Sequence, residues 1–161
     1  MNRKIGLISS IVICYLVTVF LICLVIALFA QNIFTENLSY GVCTVLSWGW
    51  VATTCAYSCF TQKEYSAAAK IGVSIGVIYA TIISIVYFTQ LTTVLYKSVD
   101  EIILQAFSFT SAGSWLFNLD LLGYGLLSIS TFFIGLTLQT KDKIDSALKL
   151  LLMLHGIFFV C

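Results

Sequence analysis

The sequence predicts an all-α fold: a polytopic transmembrane helical bundle with four complete spans, a truncated fifth and a cytoplasmic N-terminus. Three observations predict it. Residues 5–30 carry no charged side chain, and a membrane helix needs about 20 mainly apolar residues. Hydrophobic residues make up 60% of the chain and charged residues 9%, whereas a soluble domain carries roughly 25% charged residues. The basic residues fall on alternate loops, the pattern of a chain threaded back and forth.

The first span is expected at 5–30. Arg3 and Lys4 give it the positive start of a signal peptide, but the run exceeds a signal core of about 7–15 residues. Leu28 also stands where cleavage wants a small residue, so the segment reads as an uncleaved span. The second span, 40–60, is less apolar, with Thr44, Ser47, Thr53, Thr54 and Ser58 beside Trp48 and Trp50. The third is expected at 71–96 and the fourth at 117–138. A partial fifth run covers 150–161, too short to cross about 30 Å of hydrocarbon at 1.5 Å per residue. Such a run is either re-entrant or cut short, and the expectation is that the chain is a fragment lacking its C-terminal end. The whole of 1–161 reads as a single integral membrane domain.

Orientation follows from charge. Arg3, Lys4, Lys63, Lys70, Lys141, Lys143 and Lys149 fall on one side, and only Lys97 on the other. By the positive-inside rule the first side is cytoplasmic, and the expected location is the cell membrane. The formal net charge of +1 and the scattered basic residues predict no nucleic-acid partner.

Ala68, Gly72, Gly76, Ala80 and Ser84 recur every four residues along the third span. Gly72, Gly76, Ala80 and Ser84 are the expected helix-packing face, since small residues let backbones approach closely. The partner is either another span or a second copy. In the outer loop, Ser98 and Glu101 have capping-box spacing before Val99, Ile102, Ile103, Ala106 and Phe107. An amphipathic helix at 98–109, lying on the outer surface, is the expectation. Trp115 would anchor at the interface.

Asp120 is the only acidic residue well inside an expected span, and intramembrane charge points to function by default. The competing reading places Asn118 and Asp120 in the first turn of span four, where a carboxylate caps the helix N-terminus. Depth along the spans brings Gln90 and Thr44 to about the level of Asp120, with Thr89, Thr93 and Tyr124 near; Asp120, Gln90, Thr44, Thr93 and Tyr124 form a candidate polar cluster in the outer half. His155 is the single histidine and reads as a packed residue. Cys14, Cys23, Cys43, Cys55, Cys59 and Cys161 lie in apolar runs, not in metal-knuckle spacing. No metal, no cofactor and no catalytic set is expected, because no nucleophile–base motif is present.

The stretches NLDLLGYGLLSISTFFIGLTL (118–138), LLLMLHGIFF (150–159) and YFTQLTTV (87–94) resemble a group of small bacterial multi-pass membrane proteins of unknown function. The resemblance is best over 87–159. It implies a helical bundle continuing past Cys161 and supplies no activity. Two functions stay open: binding or passing a small solute through the outer cluster, or a non-catalytic interaction or regulatory subunit of another membrane complex. The bilayer is the one partner expected in either case.

Overall fold

Long apolar runs without proline have every reason to become unbroken helices, since each buried peptide group then finds its partner within the segment. The computed structural model describes residues 1–30, 32–94, 100–108 and 113–159. Its elements are α1 (Asn2–Phe29), α2 (Ile33–Ser58), α3 (Ser66–Thr89) with a π-helical extension (Gln90–Val94), α4 (Glu101–Phe107), α5 (Trp115–Thr137) and α6 (Lys143–His155). Among the described residues there is no strand. Three helical stretches, Asn2–Phe29, Lys63–Val94 and Trp115–Thr137, are long and apolar enough to cross a membrane.

The helix starts are chemically specified. Asn32 precedes α2, and its side-chain oxygen accepts from the Phe34 N–H at 2.9 Å. Glu36 in the first turn suits the positive end of the helix dipole. These contacts carry α2 back to Ile33, well before the apolar onset near residue 40. At α6, Asp142 accepts from Asp145 N–H at 2.8 Å, and the Asp145 carboxylate accepts from Lys141 N–H at 3.1 Å. Lys143 and Lys149 therefore sit on a helix and not in a loop. Lys149 donates to the Leu138 carbonyl oxygen at 3.2 Å, covering the end of α5. Between the π-helical extension and α5, α4 begins at Glu101 after Asp100. Ser98, the expected cap, lies outside the described residues, as does Lys97.

Packing follows chain order: α1 on α2, α2 on α3, α3 on α5, and α6 on α5. Tyr57 near the end of α2 donates to the Thr137 carbonyl oxygen at the end of α5. Gly6 of α1 meets Ala56 of α2. The near end of the bundle thus gathers the start of α1, the α2–α3 turn and the α5–α6 turn, with Arg3, Lys63 and Lys141 among their residues. The far end holds the start of α2, the π-helical extension, α4 and the start of α5.

The small-residue stripe of α3 is used inside the chain. A Cβ on Gly72 would lie 2.9 Å from Ile134 Cδ1 and 3.2 Å from the Ser130 carbonyl oxygen. One on Gly76 would lie 3.1 Å from Ser130 Oγ and 3.2 Å from Trp50 Nε1. Ala80 is buried, and Ser84 Oγ accepts from Trp48 Nε1 at 2.9 Å. The stripe faces α5 on one side and the tryptophans of α2 on the other. The principal core beside it contains Cys43, Tyr79, Ala80, Ile83, Val86, Tyr87 and Leu116.

Candidate functional site

The second stripe of α3 runs one position before the small one: Tyr79, Ile83, Tyr87, then Gln90. This spacing of four, four and three keeps all four on one helix face, and all four are buried. At the far end that face meets α2 through Tyr40 and Cys43, and α5 through Asp120 and Tyr124. Asp120, Tyr124 and Leu127 share a face of α5 by the same rule.

Asp120 is 4% exposed. Ser114 is the N-cap of α5, and its hydroxyl accepts from Phe117 N–H at 3.1 Å. The helix therefore starts before Asn118, and Asp120 sits in the second turn. The capping reading of Asp120 is corrected accordingly: the orphan N–H groups are served by Ser114, and the carboxylate is turned into the bundle. Its Oδ1 has no hydrogen-bond partner among the described residues. A buried carboxylate oxygen left unmatched is costly in a medium of low polarity.

Tyrosine hydroxyls surround the carboxylate. The Tyr87 hydroxyl is within reach of the Asp120 carboxylate, and the Tyr87 and Tyr124 hydroxyls lie 3.1 Å apart. Cys43 of α2 shares the buried core with Tyr87 and lines one cavity with Tyr124. Tyr40 stacks on Tyr87 with centroids 5.5 Å apart and planes at 20°, while Tyr79 and Tyr124 are 6.2 Å apart and tilted. The result is a chain of groups, Tyr124 to Tyr87 to Asp120, able to share and pass protons and to order a positive charge.

Of the sequence-derived candidates, the structure brings Asp120 and Tyr124 into this chain. Gln90 is buried at the start of the π-helical extension, and its amide donates to the Phe107 carbonyl oxygen at 2.7 Å. It ties the extension to α4. Thr44 donates to the Tyr40 carbonyl oxygen of its own helix at 3.0 Å. Thr93 lies in the extension, one turn beyond Gln90. Tyr87, Cys43, Tyr40 and Tyr79 belong to the site and were missed. The signal was the 79–83–87–90 stripe, which places two phenols on the buried face.

Toward the middle of the bundle lies a cavity of about 250 Å³ between α1, α2, α3 and α5. Phe20, Cys43, Trp50, Tyr79, Tyr124 and Leu127 are among its lining residues. Asp120 stands one helical turn, about 6 Å along the axis, beyond Tyr124. No cluster of three or more His, Cys, Asp or Glu suited to a metal is present among the described residues. His155 lies apart from this site, its Nδ1 2.9 Å from Thr131 Oγ1, where α6 packs on α5.

No known protein family matches this chain, and no curated protein or solved structure matches it either.

Proposed function

We propose that this chain is a multi-pass protein of the cell membrane that binds or passes a small solute through the polar cluster in its outer half. The N-terminus is cytoplasmic, and α1, α2, α3 and α5 are its four spans. Support for the fourth comes from α2. Its 26 residues extend about 39 Å at 1.5 Å each, longer than the roughly 30 Å hydrocarbon core. It is packed between α1 and α3, two of the helices long and apolar enough to cross. The orientation is supported by the near end, which gathers the basic residues that the positive-inside rule puts in the cytoplasm.

One observation carries the solute reading. Asp120 is buried with an unmatched carboxylate oxygen, in a 23-residue helix that holds no other charged side chain, and the charge has no structural task that Ser114 does not already perform. A charge kept at that depth marks a pathway or a binding site. The alternative, an interaction or regulatory subunit, drew its support from the α3 stripe, and that stripe is occupied by α5 and α2.

The test is flux in liposomes. Protons and a panel of small solutes are followed with the parent protein and with Asp120→Asn. The expected result is flux or bound solute in the parent and its loss in the variant, with the fold unchanged by circular dichroism. Equal flux and binding in both proteins would remove the cluster as a site.

A further inference from the structure

We infer that the ligand of this site is a small organic cation, held in the aromatic cavity with Asp120 as its counter-charge. This deepens the solute reading above and rests on it.

The walls set the ligand's character. Phe20, Trp50, Tyr79 and Tyr124 all line the cavity. Aromatic faces carry the negative part of a quadrupole and attract a cation within about 6 Å of the ring centre, most strongly where water is excluded. No Lys or Arg is among the lining residues, and the nearest formal charge along α5 is the Asp120 carboxylate. That carboxylate communicates with the wall through Tyr87 and Tyr124. An anion would meet a buried negative charge. A neutral apolar solute would leave the carboxylate unused.

A bare metal ion fits poorly. Calcium takes about 6–8 oxygen ligands and magnesium a near-ideal octahedron, whereas the groups here are one carboxylate, phenols and a thiol. An alkylammonium needs only π-faces and one distributed negative charge. Size narrows the class further. The cavity, about 250 Å³, lies below the roughly 300–1,000 Å³ of sites that hold drug-sized molecules. A head of trimethylammonium dimensions suits it.

The probe pair is choline and its neutral isostere 3,3-dimethylbutan-1-ol, which have nearly the same shape and differ in charge. Binding to the full chain in nanodiscs is measured by titration calorimetry. The parent should bind choline at least about tenfold more tightly than the isostere. Asp120→Asn should lose that preference and leave isostere binding unchanged. Tyr79→Phe keeps the ring face and should keep choline affinity, whereas Tyr79→Leu should lower it severalfold, so the Tyr79 pair decides the matter even where Asp120→Asn fails to fold. Equal binding of choline and isostere by the parent overturns the inference, as does choline affinity unchanged in Asp120→Asn. A parent that ignores choline yet shows proton or inorganic-cation flux sensitive to Asp120→Asn also overturns it, while leaving the outer-site reading standing. Flux and binding both insensitive to Asp120→Asn remove the two together.

Discussion

Ser130 and Gly72 are joined directly across the α3–α5 contact: Ser130 Oγ donates to the Gly72 carbonyl oxygen at 2.7 Å. Ser130 Oγ in turn accepts from Trp50 Nε1 of α2 at 3.0 Å. One buried hydroxyl thus links three helices, and it fits only because Gly72 and Gly76 present no side chain there.

Removing that link has a measurable cost. Interhelical hydrogen bonds in membranes average about 0.6 kcal/mol and reach about 1.7. Ser130→Ala loses two of them and should lower stability by about 1–2 kcal/mol. Trp50→Phe in the Ser130→Ala background should cost less than in the parent, because their shared bond is already gone. Thermal unfolding of the four proteins in detergent checks both statements; strictly additive losses would show that the bond contributes nothing.

Close approach makes the second prediction. Gly76→Ile must push Ser130 and Trp50 apart, since even a Cβ there lies within 3.1–3.2 Å of both. Overpacking typically costs about 1–3 kcal/mol. Ile82→Leu conserves volume and should cost less than about 1.5 kcal/mol. Gly41 of α2 has nothing within 4 Å of a built Cβ, so Gly41→Ala should be neutral or stabilise by about 0.5–1 kcal/mol through helix propensity. The order of melting temperatures should be Gly41→Ala highest and Gly76→Ile lowest.

The stripe that carries this packing was legible because it is local: small residues at a period of four are a face on any helix. The helical runs were legible for the same reason. What the sequence hid is of two kinds. Thr35, Glu36 and Asn37 hid the start of α2, and Lys143 and Lys149 hid that of α6, because polar residues on a helix look like loop when apolar density alone is read. The Asp120 site was half visible. Depth along the spans found Asp120 and Tyr124, but Cys43 and Tyr87 reach them from α2 and α3, and the rotation of those helices about their axes is set by packing. Gln90 shows the limit most plainly: it has the right depth, and its amide is committed to the backbone of α4.

Topology is checked by labelling. In a cysteine-free background, single cysteines at Asn32 and Gly113, both exposed at the far end, should react with an impermeant thiol reagent added outside the cell. Cysteines at Gln62 and Lys141, exposed at the near end, should react only after the membrane is opened. The inverse pattern would turn the bundle over and place the Asp120 cluster in the cytoplasmic half.

The last prediction separates a capping carboxylate from one held by tyrosine. Hydrogen bonds to a charged group contribute about 1.5–3 kcal/mol, those between neutral groups about 0.5–1.5. Tyr87→Phe removes the phenol within reach of the Asp120 carboxylate and should cost the larger amount in the parent. Asp120→Asn relieves the burial of a charge whose Oδ1 is unmatched, and α5 keeps its cap at Ser114. That variant should melt at or above the parent temperature, whereas loss of a true N-terminal charge would lower it. In the Asp120→Asn background, Tyr87→Phe should fall to the smaller cost, because the acceptor no longer carries a charge. Melting all four proteins in the same detergent measures the coupling. An identical Tyr87→Phe penalty in both backgrounds would mean that the phenol serves Tyr124 and not the carboxylate, and the charge at Asp120 would then stand without a donor in the bundle.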